Sequence, residues 1–198
     1  TNPLSENPKT GVPYFDSFPL VSTRDLANSL EQLRTHLKID SIHTLIGGSL
    51  GGQVALEWAY LLGNKLQHVI TVAATAKTSP WVIGFNEAQR MAIASDSTWG
   101  QPQEDAGSKG LEAARAMAML SYRNPQDLNA KQQETTDKLD GFLASSYLRY
   151  QGAKLTKRFN AFSYWTLTKA MDSHDIGRGR GGVEMALKSI QASVCRRS

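Results

Sequence analysis

Behind Asp25, Leu26, Leu30, Leu33 and Leu37 recur at three- and four-residue intervals, a spacing that predicts an amphipathic helix. Ile42 to Ile46 follows as a short apolar, partly β-branched run ending at Gly47-Gly48, and reads as a buried strand. Val54 to Leu62 has helical character, and Leu66 to Ala74 (LQHVITVAA) reads as a second buried strand. Strand, helix and strand with short connections make a βαβ unit, whose two strands are expected to be parallel neighbours. Ahead of it, residues 1–23 carry Pro3, Pro8, Pro13 and Pro19 among Gly, Asn and Ser, and read as a loop crossing a surface. Past Ala76 the pattern predicts helices over 81–95, 109–122, 144–159 and 162–172 and no strand. Gly177 to Gly182 (GRGRGG) is then a flexible joint, Val183 to Ile190 a last helix, and Val194-Cys195-Arg196-Arg197-Ser198 a polar stop. The expected fold is therefore α/β: a core over 1–77, a helical insertion over 78–176 and a return to the core over 177–198.

Composition narrows the function. The 198 residues suit one compact domain with room for a subdomain. The net charge of +4 is small and scattered, without the concentrated basic face that nucleic-acid binding needs. A single cysteine, Cys195, excludes an internal disulfide framework and suits a reducing, cytoplasmic setting. No apolar run approaches the ~18 residues that span a bilayer. The start, Thr1-Asn2-Pro3-Leu4-Ser5, is neither a signal peptide nor an initiator methionine, and suggests a chain cut from something longer.

Gly47-Gly48-Ser49-Leu50-Gly51-Gly52 satisfies G-x-S-x-G, with a buried strand before it and an apolar helix after it. In that context the pattern forces a sharp turn and holds the serine hydroxyl above the carboxyl end of the strand. Ser49 is thus the candidate nucleophile. The Leu50 backbone N–H, at the start of a helix whose dipole points to the same spot, is the candidate oxyanion donor. The bland alternative is a glycine-rich turn with an incidental serine.

A serine hydroxyl needs a base. His36 lies in the helix before the motif, and His43 begins the strand, roughly 20 Å from Ser49 at ~3.3 Å per residue. His68 likewise starts its strand. His174 is near the glycine joint, and Asp172, two residues before it, does not face it on a helix. All four read as structural or exposed, so neither the catalytic histidine nor its aspartate is expected in this chain. No metal-ligand set or permanently bound cofactor is expected.

Other features have plainer readings. Gly177, Gly179 and Gly182 match G-x-G-x-x-G, but a helix rather than a strand precedes them. Arg178 and Arg180 read as solvated or paired with acidic neighbours, and Lys154, Lys157 and Arg158 as a wet helical edge. Met117, Met119 and Leu120 are expected to pack against neighbouring helices. Arg115 and Tyr122, seven residues apart on one helix, fall on the same face, where a guanidinium and a phenol suit a carboxylate.

The stretches NPKTGVPYFDSFPLVSTRD, IGGSLGGQVALEWA, FNEAQRMAI, SYLRYQGAKLTKRFNAFSYWTLTKAMDSHDIGRGRGG and VEMALKSIQASV resemble the homoserine O-acetyltransferase family, from about Asn2 to Val194. The resemblance implies a partial α/β-hydrolase fold with residues 78–176 as a helical lid. It implies Ser49 as the acyl-accepting nucleophile, Arg115 as the group that pairs the homoserine carboxylate, and Tyr122 at the active-site entrance. The implied reaction is ping-pong: Ser49 attacks the acetyl-CoA thioester, coenzyme A leaves, and the L-homoserine hydroxyl takes the acetyl group, a step of methionine biosynthesis. A homodimer built through the lid is also implied. The family includes homoserine O-succinyltransferases and serine O-acyltransferases, and the motif alone does not separate a transferase from an esterase or thioesterase. A non-catalytic truncated product is the remaining alternative.

Departures from the family pattern are large. Its N-terminal strands and second oxyanion donor have no counterpart here, and Cys195-Arg196-Arg197-Ser198 stands where an apolar strand and then the catalytic aspartate and histidine are implied. The chain is therefore expected to be an inactive internal fragment. Two parallel strands do not bury both faces and both edges, so it is also expected to aggregate or stay partly folded on its own.

Overall fold

The computed structural model describes residues 2–197, with side chains through Cys195. Among the described residues there are three strands, β1 (Ile42–Gly48), β2 (Leu66–Val72) and β3 (Ser193–Arg197), and eight α-helices. The helices are α1 (Thr23–His36), α2 (Leu50–Leu62), α3 (Pro80–Ala94), α4 (Ser108–Ser121), α5 (Pro125–Lys131), α6 (Leu143–Thr156), α7 (Ala161–Asp172) and α8 (Val183–Lys188). The chain divides into two compact units: residues 20–83 and 167–197 hold the sheet, and residues 2–19 and 84–166 form a helical unit. The opening loop, read from the sequence with the core, thus groups with the helices.

In the sheet unit the strand order is β1-β2-β3, all parallel, with Ile46 beside Ile70 and Ile70 beside Cys195. The expected βαβ unit is present. The third strand corrects the reading of the C-terminal residues as a polar stop: β2 offers a free edge, and Ser193 to Arg197 occupies it whatever its side chains. One face of the sheet, with Val69 fully buried and Leu45 beside it, packs on a core of Ala55, Leu56, Ala59 and Leu62 from α2, joined by Ile176, Ala186 and Ile190. Across the sheet, Ile46 is 71% exposed, Val72 41%, and Cys195 is also exposed.

α1 starts at a reciprocal cap: the Ser22 side chain accepts from the Asp25 N–H at 3.2 Å, and the Asp25 carboxylate accepts from the Ser22 N–H at 2.8 Å. Its buried face is Thr23, Ala27 and Arg34, whereas Leu33 and Leu37 are exposed. Leu26 and Leu30 are half-buried, so the leucine spacing found the helix and part of its inner face. Arg34 turns inward because its guanidinium pairs with Glu31 and donates to the Ile39 and Asp40 carbonyls in the connection between α1 and β1.

The helical unit packs around Ile93, Leu111, Ala114, Leu155 and Ala161, with Trp99, Phe159, Tyr164 and Trp165 at its margin. α4 and α6 approach closely at Gly152, where a Cβ would meet the Glu112 carbonyl oxygen at 2.6 Å. On α4 the inward stripe is Leu111, Ala114, Ala118 and Met119. Met117 and Leu120 lie off that stripe and are exposed, contrary to the packing expected of them. α5 went unread although Asn124-Pro125 carries a start signal, the Asn124 side chain accepting from the Gln126 N–H at 2.8 Å.

Candidate active site

β1 ends at Gly48 and α2 begins at Leu50, so Ser49 alone makes the bend. Its backbone sits at φ 51°, ψ −124°, a left-handed conformation costly for any residue with a side chain. Three hydrogen bonds hold it there. The Ser49 N–H donates to the Val72 carbonyl at 2.9 Å, and the Ser49 carbonyl accepts from the N–H groups of Gly52 (2.9 Å) and Gln53 (3.2 Å). Tight crossing of strand and helix supplies the rest. A Cβ on Gly47 would come within 2.2 Å of the Gly51 carbonyl oxygen, and one on Gly52 within 2.6 Å of the Ala74 Cβ. Gly51 has open space around it, so the steric demand falls on Gly47 and Gly52 rather than on both glycines of the G-x-S-x-G pattern. β2 leaves the sheet in the same manner, through Ala73 at φ 50°.

The Ser49 side chain is exposed and makes no capping bond to α2. A hydroxyl without internal partners stands at the positive end of a 13-residue helix, with the Leu50 N–H next in the chain. Chemically this suits attack on a carbonyl carbon and support of the oxyanion that forms.

None of the four histidines is arranged to serve that hydroxyl. His43 and His68 meet at a tilt, ring centroids 5.2 Å apart, near the starts of β1 and β2 and away from the bend. His36 is exposed in the last turn of α1. His174 is 2% exposed, with Nδ1 2.8 Å from the Thr23 hydroxyl. Burial, the largest influence, holds its imidazole below the ordinary value; Glu57, the Thr75 backbone and Asp175 draw it up and Arg178 presses it down. The unfolded chain therefore takes up the proton first as pH falls below about 6.5, and stability declines from there through the folded-state value. Denaturant midpoints at pH 7.5 and 5.5 should show that loss, and His174→Gln should flatten it. Equal slopes in both proteins would assign the acid sensitivity elsewhere.

Glu57 was not singled out by the sequence, where it is a lone acid in the apolar helix VALEWA. It is buried, and its Oε2 accepts from Arg24 Nε at 3.2 Å and Arg180 Nη1 at 2.8 Å. Arg180 lies 3.7 Å over the Tyr60 ring, and Arg24 also donates to the Arg178 carbonyl at 2.9 Å. The glycine joint is thus tied to α1 and α2, and Arg180 has the acidic partner its sequence suggested. Nearby, Gln53 Nε2 donates to the Thr78 hydroxyl (3.1 Å), which donates to the Met171 carbonyl (2.6 Å).

In the helical unit, Arg115 and Tyr122 meet as their spacing predicts, the guanidinium carbon 5.4 Å from the phenol centroid. Arg115 is half-buried and has no acidic partner among the described residues. Sequence reasoning missed another polar pair of this unit. Tyr164 on α7 donates its hydroxyl to Gln89 Oε1 of α3, 75 residues away in the chain. Its phenol is pushed up to about 12, chiefly by burial, then by Tyr122, with Arg115 opposing. Lys157 and Arg158 are exposed, as a wet edge should be, and Lys154 lies 5.8 Å over Tyr150. Among the described residues no cluster of three or more His, Cys, Asp or Glu is placed to hold a metal, and no helix is long and apolar enough to cross a membrane.

A strand, a strained serine and an apolar helix thus meet at one sharp bend. The model of the family described as the alpha/beta hydrolase fold matches residues 4–180. Homoserine O-acetyltransferase of Cyclobacterium marinum is 62% identical over 194 residues, which are 98% of this chain and 55% of that protein. The crystal structure of homoserine O-acetyltransferase from Bacillus anthracis superposes with a TM-score of 0.92 at 24% identity, covering 99% of this chain and 55% of that one. That of esterase E22 does so with a TM-score of 0.89 at 25% identity, covering 99% and 56%. The chain spans about half the length of the curated relatives it matches. With a parallel sheet, a sharp strand-to-helix bend at Ser49 and a family match over most of its length, the chain belongs to the alpha/beta hydrolase fold family, as a partial example of that fold that is similar throughout to homoserine O-acetyltransferases.

Proposed function

We propose that these residues are the nucleophile-bearing half of a homoserine O-acetyltransferase. The observation that carries the reading is the strained, exposed Ser49 at the head of α2 in a chain 62% identical to such an enzyme. Ser49 Oγ attacks the thioester carbonyl of acetyl-CoA while the Leu50 N–H donates to the developing oxyanion. Coenzyme A departs as the thiol, and the hydroxyl of L-homoserine then displaces Ser49 from the acetyl group. Arg115 pairs the homoserine carboxylate, which supplies the charge its half-buried guanidinium has no partner for, and Tyr122 flanks it at the entrance. Residues 78–176 act as the lid that limits water at the acyl-enzyme. On this reading the base that deprotonates Ser49 belongs to the remaining half of the enzyme, since His174 is engaged with Thr23. Exposed apolar residues of the helical unit, Met117 and Leu120 on α4, support self-association through the lid, and a free exposed Cys195 suits the cytoplasm.

The likeness to esterase E22 favours one second reading, hydrolysis with water as acceptor. The test is a graft of this chain into the Cyclobacterium marinum enzyme in place of the residues it matches, supplied with acetyl-CoA and homoserine. A transferase yields O-acetylhomoserine well in excess of free acetate and, without homoserine, an acetyl group on the Ser49 peptide. Acetate as the main product supports the esterase, and the 198-residue polypeptide alone should turn over neither.

A further inference from the structure

Two exposed histidines of the sheet unit take no part in the acyl chemistry, yet the pairing of β1 with β2 brings them together. Thr44 stands beside His68 in the parallel register, and the ring of His43 lies 5.2 Å from that of His68, centroid to centroid, with the planes at 57°. Both side chains face solvent. His43 Nδ1 is 2.7 Å from the Thr44 hydroxyl. In the tautomer that donates Nδ1–H to that oxygen, Nε2 keeps its lone pair. Among the described residues the His68 ring meets the His43 ring and makes no hydrogen bond.

Two imidazoles that share one divalent cation have a set spacing. With metal–nitrogen bonds of ~2.0–2.1 Å, each ring centre lies about 3.2 Å from the metal, and a tetrahedral angle between the bonds puts the centres about 5.2 Å apart. The spacing of His43 and His68 is the same. We propose that His43 and His68 form a two-histidine site for a divalent cation of the zinc, nickel or copper type, with water filling the remaining positions. Imidazole favours such cations over Mg²⁺ and Ca²⁺, which prefer oxygen ligands. Exposure of both rings gives the cation its entry and its waters. The Thr44 hydroxyl at Nδ1 holds the ring and tautomer of His43, a support that metal-ligating histidines ordinarily have. In the sequence each histidine stands alone, and only strand register makes the pair. A cation held there ties the entry of β1 to β2. The site needs neither Ser49 nor an acyl donor, so it stands or falls apart from the proposed transferase activity.

The experiment titrates ZnCl₂ into the graft in the Cyclobacterium marinum enzyme, stripped beforehand with a chelator, and follows binding by calorimetry. One site with a Kd of about 1–100 μM is expected, and His43→Ala and His68→Ala should each weaken it at least about tenfold. His36→Ala, an exposed histidine on α1, should leave it unchanged, and MgCl₂ should not bind. Cu²⁺ should bind more tightly than Zn²⁺, and its electron paramagnetic resonance spectrum should show coupling to two imidazole nitrogens, falling to one in either variant. Saturating Zn²⁺ should raise Tm by about 2–4 °C in the graft and in neither variant. Zinc binding that survives both substitutions, or a Kd weaker than about 1 mM, would overturn the site.

Discussion

Ser49→Ala is expected to lower acetyl transfer about 10⁴- to 10⁶-fold in the grafted enzyme, because no second hydroxyl can carry the acyl group and only binding and oxyanion support remain. The fold should survive the change. The Ser49 side chain is exposed and holds no capping bond, while the hydrogen bonds that shape the bend run through its backbone. Alanine keeps a Cβ at φ 51° and so keeps the strain. Ser49→Gly should be equally inactive and about 1 kcal/mol more stable, as left-handed strain of about 1–3 kcal/mol is relieved and glycine's extra chain entropy takes part of the gain back. Steady-state rates and denaturant curves of the three proteins check this together. An alanine variant that retains rapid transfer would remove Ser49 from the chemistry altogether.

Glu57→Ala should cost about 3–5 kcal/mol of stability, the range for breaking a buried ion pair by removing one partner. The cost comes from Arg180, whose side chain is 8% exposed and would keep only the Ile176 carbonyl and the Tyr60 ring for company. Arg24, about one third exposed, regains water and contributes little. Replacing both partners, Glu57→Leu with Arg180→Met, should recover most of the loss, since an apolar pair of similar volume leaves no charge unpaired. A denaturant double-mutant cycle in the graft gives both numbers. A single variant that loses less than about 1 kcal/mol would mean that water or backbone already satisfies Arg180.

The bend was legible because three signals coincide over residues 42–62: a β-branched run, small residues about a serine, and an apolar helix. Pattern alone did not show which glycines matter, because Gly52 is set by its approach to Ala74, just past the end of β2. Arg115 and Tyr122 were legible through helical spacing, and they do meet. Tyr164 was not, since its partner Gln89 is 75 residues away and only packing brings α3 and α7 together there. Glu57 did leave a trace, as a single acid on an otherwise apolar helix face is costly unless paired, and such a residue points to buried cations elsewhere in the chain. β3 escaped because its pairing depends on the open edge of β2 rather than on any apolar run of its own. For α1 the leucine spacing marked half of the inner stripe, Leu26 and Leu30, and took no account of an arginine that bonds the connection after its own helix.

Among the described residues β1 lies at the border of the sheet, with β2 on one flank only. The strand that delivers Ser49 is therefore stitched along a single seam, which ends in the bond from the Ser49 N–H to Val72. Whatever lies along its other flank sets how stiffly the hydroxyl is presented. A loosely bordered elbow spends part of its time relaxed out of its left-handed bend, and an attacking atom that wanders loses the alignment on which its rate depends.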